Sequence, residues 1–197
     1  MKSIEIQKEL EMKYSELVEY LLKKYGPAKY DYFCTESCKS KNHKVSRTNE
    51  GLYCHHIDED KAIMLSNDSY AIKNPYEYQK AERLVYCNVL EHLILHIKIV
   101  EEPRNKAANE LEIQGIGGVI NFICPQINDY YNGFEFKQPY LIKIYSLIEN
   151  NFEDYIRVLK YLLDIIDDNP LYKLIITKKR LSIGWDRQII NKIYEQL

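Results

Sequence analysis

The chain has 197 residues, of which 46% are hydrophobic and 28% charged, with a formal net charge of −2. That is an ordinary globular composition, with room for one sizeable core or for a small catalytic module with helical companions, and the mild acidity argues against a protein that coats nucleic acid without specificity. No apolar run approaches the roughly 20 residues of a membrane span, the start MKSIEIQKEL is too charged for a secretory signal, and five irregularly spaced cysteines point to reduced thiols; the expectation is a cytoplasmic protein.

Residues 4–25 carry Leu10, Tyr14, Leu17, Val18 and Leu21 at helical spacing with Glu and Lys between them, and Gly26-Pro27 follows. The pattern predicts an amphipathic N-terminal helix that ends there. From Tyr30 to about Asn49 the sequence is polar and irregular, which predicts mostly loop. Gly51–Ile57 (GLYCHHI) reads as a short strand, and residues 58–80 as a long connection with a turn or helix start at Asn74-Pro75. Within that connection Asp58, Glu59 and Asp60 follow the histidines at once; a solvated turn is the expected state of such a run, an oxygen ligand the alternative.

Leu84-Val85-Tyr86-Cys87 has strand character, and Asn88 stands three residues before Glu91, the spacing of a capping box, directly ahead of an apolar run. A helix is expected from Val89 to about Val100, stopped before Pro103. Gly115 to Gly118 (GIGG) lacks the strand–helix setting of a phosphate loop and reads as a turn. Beyond it the pattern is helical. Tyr155, Leu159, Leu162, Leu163 and Ile166 form a core-facing stripe ended by Asn169-Pro170, and a last helix from about Asp186 carries Ile189, Ile190, Ile193 and Tyr194. The predicted class is α+β, predominantly helical.

Four of the five histidines lie in two tight groups, His55-His56 and His92 with His96. Residues four apart on a helix project from one face, so His92 and His96 can share a divalent cation. Neighbouring strand residues face opposite sides, so one of the paired histidines can complete the ligand set while the other faces a substrate. Imidazole ligands suit Zn²⁺, Ni²⁺ or Mn²⁺ better than Mg²⁺. Two cationic stretches, Lys39–Lys41–Lys44–Arg47 and Lys178–Lys179–Arg180, are candidates for a local positive surface, with solvated loops as the alternative. Cys34 and Cys38 lack the CxxC spacing of a structural zinc site, and Cys54, alternating with His55, reads as core.

A strand ending in His-His (GLYCHHIDE), a second strand of the form Leu-Val-x-Cys (LVYC) and a helix with His-x-x-x-His (EHLILH) together resemble the ββα-metal module of HNH endonucleases, in the paired-histidine variant of colicin-type bacterial nucleases. The resemblance covers about a quarter of the chain. It implies a small ββα-metal module over 30–102 with an insertion at about 58–80, packed with an N-terminal helix (1–29) and a mainly helical C-terminal region (103–197). It implies one divalent ion on His55, His92 and His96, and His56 as the general base that activates water for phosphodiester hydrolysis. Lys44 and Arg47, near in sequence, become the candidate phosphate contacts, and nucleic acid, expected to be DNA, the partner. The C-terminal helices are a candidate surface for a second copy or a protein partner. In one respect the chain departs from the family: the place directly before the second strand, held there by asparagine, is Arg83. The competing expectations are a degenerate HNH-like binding or regulatory protein with a structural metal site, and a hydrolase of another phosphate ester.

Overall fold

The apolar spacing over residues 4–25 produces two helices rather than one, α1 (Ser3–Glu11) and α2 (Tyr14–Tyr25). The computed structural model describes residues 3–102, 114–167, 170–179 and 188–197. The break falls at Lys13, whose extended backbone (φ −71°, ψ 162°) lets its N–H reach Oε2 of Glu16 at 2.8 Å. The bond restarts the helix with Tyr14 in its first turn. Ile6, Leu10, Tyr14, Leu17, Val18 and Leu21 are all buried despite the interruption. Gly26 closes α2 at φ +78°, where its N–H bonds to the Leu22 carbonyl at 2.9 Å.

Residues 30–49 are irregular, with short 3-10 turns at His43–Val45 and Thr48–Glu50. Then come strand β1 (Tyr53–His56), a 3-10 turn (Ile57–Asp60), the short helix α3 (Asp68–Ala71), two more 3-10 turns (Tyr76–Gln79 and Ala81–Arg83) and strand β2 (Leu84–Cys87). β1 and β2 pair antiparallel, with His55 opposite Val85 and His56 opposite Leu84. α4 (Val89–Glu101) starts at the expected cap: the Asn88 side chain accepts from the N–H groups of Leu90 and Glu91 at 2.9 and 3.0 Å, and Glu91 Oε2 accepts from the Asn88 N–H at 2.6 Å.

Eleven of the thirteen α4 residues are buried. A helix apolar on every side has to be wrapped on every side, and α4 packs against α1, α2 and both strands. It is also covered by α5 (Ile116–Gly118), by the π-helical turn Val119–Ile123 that follows, and by a later helix, α8 (Phe152–Ile165). The other C-terminal helices are α6 (Cys124–Tyr131), α7 (Pro139–Ser146), α8 itself (Phe152–Ile165), α9 (Pro170–Ile176) and α10 (Asn191–Tyr194). One core therefore joins Ile6 and Leu17 to Val85, Leu93, Tyr155, Leu159 and Ile193. Leu90, Leu93, Ile94, Leu95, Ile97 and Ile99 of α4 have no exposed surface, and burying each such side chain stabilises by about 1.5–3 kcal/mol before ordering entropy is subtracted.

The fold class is as read from the sequence: predominantly helical α+β, with a two-stranded sheet among the described residues. Some local expectations need correction. The GIGG segment is a helix start rather than a turn: Gly115 turns the chain at φ +85° and the next three residues open a helical run into α6. Ile189 and Ile190 precede α10 instead of lying in it, because Ile189 forms a bridge to Lys178. Pro103, Asn169, Arg180 and Asp186, which entered the expectations above, lie outside the described residues. No described helix is long and apolar enough to cross a membrane.

Candidate metal centre

β1 delivers His55, and α4 delivers His92 and His96 from successive turns of one face. The three ring centroids form a nearly equilateral triangle with sides of 5.3 Å (His55–His92), 5.2 Å (His55–His96) and 4.9 Å (His92–His96). A metal–nitrogen bond of about 2.0–2.1 Å plus about 1.2 Å from nitrogen to ring centre places tetrahedrally disposed rings about 5.2 Å apart. One ligand nitrogen from each ring lies within 4.8 Å of the others. The residues present fit a single cation.

Hydrogen bonding prepares the lone pair that such an ion needs. Tyr14 donates its one hydroxyl proton to the Ile57 carbonyl at 2.8 Å, so at 3.0 Å its oxygen accepts from His55 Nε2–H. That fixes the tautomer and leaves the His55 Nδ1 lone pair bare, buried and without a hydrogen-bond partner. A second-sphere hydroxyl orients a ligating imidazole in this way. Burial, reinforced by the neighbouring His96 and His92, holds His55 well below the usual imidazole range; burial and then His96 do the same to His92. Burial pushes His96 down to about 4 against an opposing contact from the Gly115 backbone. All three rings are neutral at pH 7, the state that binds metal.

His56 takes the other side of β1. Its ring is 1% exposed, lies 4.4 Å from the Tyr32 ring centre, and is 2.9 Å through Nε2 from Gln79 Oε1. The Gln79 amide nitrogen donates to the Leu65 carbonyl at 3.2 Å, so its oxygen is the end facing His56. His56 Nε2 is thus the donor, and the free lone pair sits on Nδ1. Burial pushes this ring down to about 4, with the Gln79 hydrogen bond opposing. No open surface reaches it in this conformation.

The expected solvated turn at 58–60 is overturned. Asp58 is fully buried and Glu59 nearly so, with 14% of its side chain exposed. Arg83 grips Asp58 through Nε–Oδ2 (2.6 Å) and Nη2–Oδ1 (2.5 Å), and Lys61 Nζ donates to Oδ1 at 2.7 Å. Burial alone would raise the Asp58 carboxyl, but these two cations hold it below its usual range. The anchored turn presents Glu59 to the histidines: Oε2 is 3.6 Å from His55 Nδ1 and 3.3 Å from His96 Nε2, while Oε1 is 3.9 Å from His56 Nδ1. Burial pushes Glu59 up to about 8.

Of the candidate phosphate contacts, Arg47 is fully engaged by its own surroundings. It holds Glu50 at 2.7 and 2.6 Å and the Tyr25 carbonyl at 2.5 Å, and its guanidinium lies 4.7 Å from the Tyr86 ring centre. Lys44 rests its ammonium 5.6 Å from the Tyr30 ring centre. All five cysteines are free thiols.

Sequence reasoning placed Tyr14 in the helical stripe, passed over Gln79 and Tyr53, and gave Gly118 to a turn. Tyr53 stacks on His92 (5.3 Å between centres, 30° between planes) and lines a cleft of about 370 Å³ with Phe134, Phe136 and Tyr140. A Cβ built on Gly118 would meet His96 Nδ1 and Cε1 at 2.6 Å each, so glycine is what lets that ring lie where it does. Glu59 had one usable signal, its spacing of four residues from His55 just beyond a strand. No family model, curated protein or solved structure matches the chain in the comparisons made.

Proposed function

We propose that the chain is a metal-dependent endonuclease that binds one divalent ion on His55, His92 and His96 and hydrolyses phosphodiester bonds of nucleic acid, with DNA as the substrate. The observation that carries this reading is the triangle of neutral imidazoles contributed by a strand and a capped helix, the arrangement that the HNH-like sequence pattern implies. When bound, such an ion neutralises charge on the phosphate and the leaving oxygen. The three-imidazole set favours Zn²⁺, Ni²⁺ or Mn²⁺ over Mg²⁺. His56 Nδ1, kept unprotonated by burial and by the bond from Nε2 to Gln79, is the group that takes a proton from the attacking water. Tyr14 keeps His55 in its ligating tautomer. Arg83 and Asp58 fix the turn beside the base, so Arg83 fills the ordering role that the HNH pattern assigns to an asparagine. The free thiols suit a reducing, cytoplasmic setting.

The test is plasmid nicking with Zn²⁺, Ni²⁺, Mn²⁺ and Mg²⁺ in turn, comparing wild type, His56→Ala and His92→Ala. Nicking lost in both variants, with metal retained in His56→Ala and lost in His92→Ala, supports the reading. Wild-type nicking by His56→Ala removes the base assignment. A second reading is favoured by the burial of His55, His56 and His96 at 1, 1 and 8% exposure: a structural ion that staples β1 to α4 in a protein that does not cleave. Metal that raises the melting temperature in every buffer while the plasmid stays intact would establish it.

A further inference from the structure

We propose that Glu59 is the fourth ligand of the ion, a carboxylate that closes its coordination in the resting protein and must leave before a phosphate oxygen or water can take its place. This rests on the metal reading above and sharpens it, because a site with three protein ligands is open whereas one with four is shut.

Ligand atoms about 2.0–2.2 Å from a shared centre at tetrahedral angles lie about 3.3–3.6 Å from one another. Glu59 Oε2 is 3.3 Å from His96 Nε2 and 3.6 Å from His55 Nδ1. Neither is a good hydrogen bond, and His55 Nε2 already gives its proton to Tyr14, so no proton on His55 Nδ1 is available for the carboxylate. Oε2 thus stands at ligand–ligand distance from two of the three imidazoles, His55 and His96, and a shared cation would draw it into the fourth position.

Glu59 follows Asp58, which is fully buried and fastened by Arg83 and Lys61, so the turn carrying it is tethered beside the histidines. A solvated acidic run would not hold a carboxylate against three imidazoles.

Glu59 also stands between His56 and the other histidines. Its Oε1 faces the free Nδ1 of His56 at 3.9 Å while its Oε2 faces the triad. The carboxylate fills the gap between the base and the ion, which is the space an attacking water has to occupy. Hydrolysis therefore requires Glu59 to withdraw, and substrate phosphate competes with it for one coordination position.

The test is titration of Co²⁺ into the metal-free full-length protein, read by its visible absorption and by competition with a chromophoric chelator. Wild type, Glu59→Gln, Glu59→Ala and His92→Ala are compared, with circular dichroism and melting curves of the metal-free proteins showing which variants fold; the near-isosteric Glu59→Gln carries the test should Glu59→Ala not. Wild type is expected to give the intense bands of four-coordinate Co²⁺. Both Glu59 variants should give weaker, shifted bands and a Kd raised at least tenfold, the lower end of what even outer-sphere partners of a metal site are worth. Inorganic phosphate should perturb the spectrum of a Glu59 variant at a concentration at least tenfold lower than in wild type, matching that loss of a competing ligand. Unchanged bands and Kd in the Glu59 variants, with binding abolished in His92→Ala, would overturn this proposal and leave the triad standing. Equal phosphate sensitivity would overturn the displacement. No Co²⁺ binding by wild type would overturn the metal reading and this proposal together.

Discussion

Gly118→Ala tests the metal centre through a residue that would touch no ion. The new Cβ would stand 2.6 Å from Nδ1 and Cε1 of His96, whereas non-bonded carbon contacts settle at about 3.5 Å or more. The ring, or the helix start under it, has to move by about 0.9 Å. Metal–ligand distances tolerate deviations of about 0.2 Å, so the displacement is several times what the site absorbs. The fold is affected less. Alanine in a helix gains about 1 kcal/mol over glycine while overpacking costs about 1–3 kcal/mol, leaving a net loss of roughly 0–2 kcal/mol in metal-free protein. The expected result is a Zn²⁺ Kd raised at least tenfold, equivalent to about 1.4 kcal/mol, by chelator competition, with a correspondingly smaller rise in melting temperature when Zn²⁺ replaces EDTA. Gly117→Ala is the control, because its Cβ would meet only the Asn121 amide, at 4.0 Å. A Gly118→Ala protein that binds Zn²⁺ within twofold of wild type would mean that His96 does not hold the ion where the triangle places it.

Two further substitutions probe the surroundings. Tyr14→Phe removes the acceptor for His55 Nε2–H and the donor to the Ile57 carbonyl, both interior. Unmet buried partners cost about 1–3 kcal/mol, and metal affinity should fall about 10–100-fold; equal Zn²⁺ affinity in chelator competition would show that Tyr14 does not set the tautomer. Glu9 is fully buried, its carboxylate oxygens accept no hydrogen bond, and burial followed by the Glu91 charge pushes it up to about 8, with Lys24 at 3.7 Å opposing. Its proton is held more tightly in the folded than in the unfolded chain, where the value is near 4.5. Stability is therefore lost as pH rises from about 4.5 through about 8. Glu9→Gln should match wild type at pH 5 and exceed it at pH 8.5 by roughly 2–4 kcal/mol in urea unfolding; an equal loss at both pH values would contradict the shift.

What the sequence made legible was what short-range chemistry decides. The Asn88–Glu91 cap, the apolar run of α4 and the His92–His96 spacing lie within one stretch of chain and appear as read. The break at Lys13 did not show, because lysine is no helix breaker and the cause is the bond that its N–H donates to the Glu16 carboxylate. Glu59 was misjudged for a tertiary reason. Whether an acidic run is solvated depends on where its counter-charges stand, and Arg83 reaches Asp58 from 25 positions along the chain. Tyr14 is 41 positions from His55, and its apolar neighbours at helical spacing disguised a hydroxyl with a task as one more core residue.

Access decides how such a centre can work. His55, His56 and His96 are almost wholly buried, so the ways in run past His92, whose surface is partly open beneath the Tyr53 ring, or past the turn that carries Glu59. Tyr53 lies in β1 and pairs with Cys87 across the two-stranded sheet, so moving its backbone would disturb the strand that carries His55. The Glu59 turn has no strand partner. Its main tether is the Asp58 pair with Arg83, whose side chain is 34% exposed and within reach of water or of a phosphate that would compete for the guanidinium. An anion arriving there would loosen Asp58 and bring negative charge beside Glu59 in one step. The turn is the softer of the two coverings, and the group it carries is the one that has to leave.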